Sequence, residues 1–95
     1  MAAYLFANVE VTDPVVYEDY RRQVPATIAA YGGRYLVRGG AVEVLEGGGT
    51  ASRVVILEFP DMARLKAFYR SPEYAPLLAL RTRSTRSTVA AIEGI

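Results

Sequence analysis

The sequence predicts an α+β chain of order βαββαβ, in which helices cover one face of a four-stranded antiparallel sheet. Segments rich in β-branched and aromatic residues alternate with segments whose apolar residues recur at helical spacing. Thr12-Asp13-Pro14 and Pro60-Asp61 mark helix starts directly after two of the strand segments. The strand segments Leu5-Phe6-Ala7-Asn8-Val9-Glu10-Val11 and Arg53-Val54-Val55-Ile56-Leu57-Glu58-Phe59 are apolar on both faces. A sheet covered on one side only should alternate apolar and polar residues. The second face therefore needs an apolar partner, most simply a second copy of the chain.

The elements follow in order. Strand 1 is expected from about Tyr4 to Val11. Asp13 then caps free backbone N–H groups, and Pro14 suits the first helical position. Val16, Tyr20 and Val24, with Tyr17 beside them, form one apolar stripe, while Glu18, Asp19, Arg21, Arg22 and Gln23 fill the other side. Pro25 lacks an amide donor and disfavours helix at Val24, so a kink or a split is expected there. The second piece, Ala26 to Tyr31, ends at Gly32-Gly33. Strand 2 reads Arg34-Tyr35-Leu36-Val37-Arg38, is interrupted by Gly39-Gly40, and is expected to resume over Ala41 to Leu45. Gly47-Gly48-Gly49-Thr50 reads as a hairpin loop into strand 3, Arg53 to Phe59. Met62, Leu65, Phe68 and Tyr69 give a second helical region, which Ser71-Pro72-Glu73 restarts so that Tyr74, Leu77 and Leu78 line its buried side. A last strand runs from about Ser87 to Glu93. Right-handed crossovers and a hairpin between strands 2 and 3 give the spatial order 4-1-3-2, a ferredoxin-like arrangement.

At 95 residues the chain is expected to be a single domain over 1–95. Its hydrophobic fraction of 52% argues against disorder. No apolar run is long enough for a membrane span, no secretory leader is recognisable, and there is no cysteine, so the cytoplasm is the expected compartment. A net charge of +1 argues against strong attraction to nucleic acid, and the sheet lacks the exposed aromatic pair used for base stacking. With neither His nor Cys, the usual nucleophilic triads, His or Cys metal sites and His- or Cys-ligated haem are excluded, and the scattered acids offer no carboxylate cluster. No metal and no cofactor are expected.

Several segments resemble the domain-of-unknown-function family 1330: Asn8-Val9-Glu10-Val11-Thr12-Asp13-Pro14 with Tyr17 and Tyr20-Arg21, Gly33 through Gly40, Leu57-Glu58-Phe59-Pro60, and Phe68 through Tyr74. The resemblance spans nearly the whole chain, and the Arg-Gly-Gly and Ser-Pro-Glu-Tyr segments are its most specific parts. That family is similar to the dimeric α+β barrels, in which two ferredoxin-like sheets pack face to face. The resemblance implies the fold and the homodimer and assigns no activity.

Glu58 stands in a central strand among apolar residues, and a buried carboxylate there is paired or carries a raised pKa. Arg34 and Arg38 share one face of strand 2 in simple alternation, and either is placed to pair with Glu58. The alternatives are a sheet-spanning salt bridge or a solvated strand end on one hand, and on the other a general base or substrate anchor beside a pocket, with Glu58 and Arg34 as the catalytic candidates. The tyrosines form a second set. Tyr17, Tyr20, Tyr69 and Tyr74, with Ser71, Arg38 and Asn8, are read either as packing residues or as the polar lining of a small-molecule cleft between helices and sheet. Arg81, Arg83 and Arg86 read as cations complementing a helix C-terminus. Three functions follow: a cofactor-free enzyme resembling the monooxygenases and isomerases built on dimeric α+β barrels, a ligand-binding or stress-linked module without turnover, and a structural homodimer.

Overall fold

A computed structural model describes residues 1–49 and 53–95. Its order is β1 (Ala3–Val11), α1 (Pro14–Ala30), β2 (Arg34–Arg38), β3 (Arg53–Phe59), α2 (Met62–Tyr69), α3 (Ala75–Ser84) and β4 (Thr85–Glu93). The strands form one antiparallel sheet in the order β2-β3-β1-β4, the expected order read from the other edge. The two most apolar strands are therefore central. Ala3, Leu5, Ala7 and Val9 point to the helix side, where they join Leu57, Phe59, Leu65 and Phe68 in the core. Phe59 and Phe68 are sealed from solvent, with ring centroids 5.3 Å apart.

The predicted caps form. Asp13 accepts from the Val16 amide at 3.2 Å, and Asp61 from the Arg64 amide at 2.8 Å. At the other end of α1, Gly32 adopts φ +80° while its amide bonds Ala29 O and the Gly33 amide bonds Ile28 O, both at 3.0 Å. This double closure needs a left-handed residue, which glycine supplies at little cost. Gly33 is required for space instead: a Cβ there would meet the Phe59 ring at 2.6 Å and Ile28 Cγ2 at 2.8 Å. Gly33→Ala should cost about 1–3 kcal/mol by overpacking, measured as a lower Tm with unchanged far-UV circular dichroism.

Four expectations are corrected. Helix α1 is not split at Pro25 but runs unbroken from Pro14 to Ala30. Pro25 has no N–H, so the Arg21 carbonyl four residues earlier loses its helical donor; the Arg38 Nη2 group supplies one from β2 at 3.3 Å. Ala41–Leu45 does not resume strand 2. The Gly39 amide still bonds Val54 O at 2.8 Å, but beyond it Val42, Val44 and Leu45 are exposed and belong to no regular element. The Thr50 end of the expected hairpin loop lies outside the described residues. Ser71-Pro72-Glu73 does not begin α3 either. The Ser71 side chain accepts from the Tyr74 amide at 3.1 Å and closes a separate turn, and α3 starts at Ala75 with Pro76 in its first turn.

The fourth correction concerns sidedness. The β2–β3 register shifts between Tyr35 and Val37, so Arg34 pairs opposite Glu58 and Val37 opposite Ile56, while Tyr35 pairs opposite Leu57 and Arg38 opposite Val55. Leu36 is the extra residue. A one-residue irregularity exchanges faces for everything beyond it, so Arg34 and Arg38 point to opposite sides of the sheet.

Candidate functional site: a tyrosine–arginine cavity between helices and sheet

On the helix side, the sheet and α1 enclose a cavity with about 40 Å³ open to the centre of a water molecule. Its floor is apolar, built from Leu5, Ala7, Val55, Leu57 and Val89. These side chains share a face because Leu5 pairs opposite Leu57, and Ala7 opposite both Val55 and Val89. The polar wall comes from Tyr17 and Tyr20 of α1, Tyr35 and Arg38 of β2, Arg53 of β3, Tyr74, and Arg81 of α3.

The inner end of the wall is a hydrogen-bonded chain. Arg81, only 6% exposed, donates from Nε to the Tyr74 hydroxyl at 3.3 Å and from Nη2 to the Tyr69 hydroxyl at 3.2 Å. The Tyr74 and Tyr20 hydroxyls are 2.9 Å apart and share one further hydrogen bond. Tyr74 is held by aromatic contacts with Phe68, Tyr69 and Tyr20, at centroid separations of 4.5, 5.6 and 6.4 Å. Burial, reinforced by Tyr74, pushes the Tyr20 hydroxyl far above the ordinary tyrosine range, so it stays protonated. Burial works against the charge on Arg81, but Tyr74 and its hydrogen bond, with Tyr20 and Tyr69, more than offset that and raise its pKa. The guanidinium stays charged.

At the rim, Arg53 donates from Nε to the Tyr17 hydroxyl at 3.1 Å. Gly39 makes room for it: with φ +71°, a Cβ there would lie 2.6 Å from the Arg53 guanidinium carbon. Arg38 lies 4.6 Å above the Tyr35 ring centroid while serving the carbonyl freed by Pro25. Burial raises the pKa of Tyr35, with Arg38 opposing.

The structure thus divides the residues singled out by sequence. Tyr17, Tyr20, Arg38 and Tyr74 line the cavity, and Tyr69 supports it through Arg81. Ser71 is buried but spends its hydroxyl on the Phe68 carbonyl, at 2.8 Å, and on the turn to Tyr74. Glu58, Arg34 and Asn8 lie elsewhere. Glu58 and Arg34 form an ion pair at 2.7 Å on the opposite face, where the Glu58 side chain is 23% exposed and that of Arg34 70% exposed. Asn8 faces the same way, between Val54 and Thr88. Sequence reasoning missed Arg81, Arg53 and Tyr35 as lining residues. A signal for Arg81 existed: Tyr74, Leu77, Leu78 and Arg81 follow helical spacing.

Among the described residues no group of three or more His, Cys, Asp or Glu is placed to hold a metal ion. No helix among them is long and apolar enough to cross a membrane.

Comparison with solved structures places this architecture among ferredoxin-like proteins. A protein of unknown function from Rhodopseudomonas palustris superposes with a TM-score of 0.81 at 19% identity, covering 99% of this chain and 82% of its own. A dimeric ferredoxin-like protein of unknown function from a Jannaschia species gives 0.68 at 16% identity, covering 99% and 100%. SnoaB, a cofactor-independent oxygenase from Streptomyces nogalater, also gives 0.68, at 11% identity, covering 99% and 93%. At these identities the likeness concerns the fold. No curated protein matches the chain. Residues 2–95 match the family model described as domain of unknown function DUF1330, and the chain belongs to that family.

Proposed function

We propose that the chain forms a homodimer through its uncovered sheet face, and that each subunit takes a small organic molecule into the helix–sheet cavity and acts on it without a cofactor, as an oxygenase or isomerase does. One observation carries the catalytic reading: the hydrogen-bonded chain Arg81–Tyr74–Tyr20 ends on an apolar floor. Donors fixed beside an apolar floor are suited to stabilise negative charge that develops on a substrate oxygen. The cofactor-independent oxygenase with the same fold supports the reading by analogy.

The dimer rests on the free face. Val37, Ile56, Phe6 and Ala90 line up across the sheet as one apolar row. It is flanked on one side by the Arg34–Glu58 pair with Tyr4 and Ile92, and on the other by Val54, Asn8 and Thr88, an apolar centre with a mixed rim. The chain measures 34 × 33 × 17 Å, so this face is broad enough for a standard interface of roughly 800 Å² per partner. Its accessible surface of 5942 Å² exceeds the value of about 5,400 Å² typical of a monomer of this mass. The dimeric ferredoxin-like relatives support the assembly. In this reading Glu58 and Arg34 serve the interface, and the substrate meets the tyrosines and Arg81.

Among the described residues no carboxylate or imidazole lines the cavity. That favours a second reading, a ligand-binding homodimer without turnover. The two separate on a panel of enolisable ketones, keto acids among them, incubated with the protein in the presence and absence of dioxygen, with substrate loss followed by mass spectrometry. Consumption is expected, with Tyr74→Phe lowering kcat about 100-fold or more while KM changes little. Unchanged kcat removes Tyr74 from the chemistry, and no consumption of any ketone leaves the binding module.

A further inference from the structure

We propose that the ligand of this cavity is a small organic anion whose carboxylate, or equivalent planar oxyanion, is held by Arg81 inside, with Arg53 at the rim adding a second positive charge to the site. The inference deepens the small-molecule reading above and rests on it. Its starting point is a charge without a counter-charge. Arg81 is 6% exposed, and its partners among the described residues are tyrosine hydroxyls. The ion pairs among those residues are Arg21–Glu18, Arg22–Asp19 and Arg34–Glu58; Arg81, Arg53 and Arg38 enter none of them.

A buried cation is costly unless an opposite charge meets it, and a guanidinium cannot escape by losing its proton. Most proteins answer with an Asp or Glu. Here no acidic residue among those described lines the cavity, although Arg21, Arg38, Arg53 and Arg81 all do. The tyrosine hydroxyls give Arg81 acceptors but no negative charge. An entering anion supplies it.

Independent support comes from Arg53. Its guanidinium lies where a side chain at residue 39 would stand, and Gly39 with φ +71° leaves that space open. The Tyr17 hydroxyl fixes it there at 3.1 Å. Two guanidinium groups are thus held by separate elements on one cavity, one at each end of the tyrosine wall.

The remaining surfaces specify the rest of the ligand. Leu5, Ala7, Val55 and Val89 offer it no hydrogen bonds, so the body of the molecule is apolar. A planar carboxylate matches the guanidinium fork. Inorganic phosphate, needing donors around the whole ion, would find only this apolar floor opposite the arginines. The cavity of about 40 Å³ favours a short chain over a multi-ring body.

Isothermal titration of the protein tests the inference with matched probes: acetate, butyrate and benzoate, their neutral amides, and inorganic phosphate. One carboxylate or more is expected to bind about 10- to 100-fold more tightly than its amide, the range of a charge-assisted hydrogen bond. Phosphate is expected to bind more weakly than that carboxylate. Arg81→Met should remove the preference for the charged form. Because that variant changes a buried site, Arg53→Met at the half-buried rim provides a second test and should weaken carboxylate binding about tenfold. Amides that bind as well as carboxylates overturn the anion assignment and leave the small-molecule cavity standing. Carboxylate binding indifferent to both variants overturns it also, by placing the anion elsewhere. If no probe of either kind binds, the inference fails together with the cavity reading. A carboxylate that binds in the absence of any ketone turnover upholds the inference and defeats the enzymatic reading.

Discussion

Replacing Ile56 with Asp is expected to leave the protein monomeric at micromolar concentration. Ile56 sits in central strand β3 with Phe6 opposite it on one side and Val37 on the other, in the middle of the apolar row that the proposed dimer buries. A two-fold axis would bring in the new carboxylate twice. Each copy would lose its water against apolar neighbours, at a cost of several kcal/mol per charge, and the pair would repel. The dissociation constant should rise by about three orders of magnitude or more. Sedimentation equilibrium should then show a 10.4 kDa species, where the parent protein is expected to show twice that mass. Ile56→Val keeps the row apolar and should keep the dimer. An Ile56→Asp protein that sediments as a dimer places the contact on another surface.

The fold was legible because its signals are local and agree with one another. Asp13-Pro14 and Asp61 sit where the helices begin, and the central strands are those most apolar on both faces. What escaped the sequence depended on partners distant in the chain. Pro25 reads as a break to any local rule, yet α1 continues because Arg38, thirteen positions later, donates to the carbonyl that the proline leaves free. Arg38 reaches that carbonyl only because the irregularity at Leu36 turns it to the helix side. The same irregularity separates it from Arg34. Two misreadings therefore share one physical cause, which strand alternation alone does not reveal.

The candidate site was half legible. Tyrosine abundance pointed to a hydroxyl-lined cleft, and Tyr17, Tyr20 and Tyr74 meet there. Glu58 drew attention because a carboxylate in a central strand looks anomalous. Its strand has two faces, however, and the carboxylate lies on the one away from the helices, satisfied by Arg34. In the sequence Arg81 reads as an ordinary cation, because a helix C-terminus already explains one. Arg83 fits that explanation, being exposed in the last turn of α3, whereas Arg81 falls on the buried stripe with Tyr74 and Leu77; Arg86 lies outside the helix, in β4 opposite Glu10. Helical phase separates Arg81 from Arg83 where composition cannot.

The second large effect is expected from Phe68→Ala. Phe68 is 1% exposed and packs against the rings of Phe59, Tyr74 and Tyr31, at 5.3, 4.5 and 6.3 Å between centroids. It also lines the cavity, so its ring is shared between the core and the site. Truncation should cost about 3–5 kcal/mol, from lost burial and from the void left behind. In a chain of this size, that lowers Tm by well over 10 °C at fixed protein concentration. The void would open beside Tyr74, and the existing cavity should widen toward α2. If the polar wall keeps its place, the variant should favour a longer or bulkier ligand than the parent, and binding should restore part of the lost Tm. Thermal unfolding with butyrate and with benzoate distinguishes the outcomes. Greater recovery with benzoate than the parent shows supports a cavity bounded by Phe68, whereas loss of stability with no change in ligand preference assigns Phe68 to the core alone.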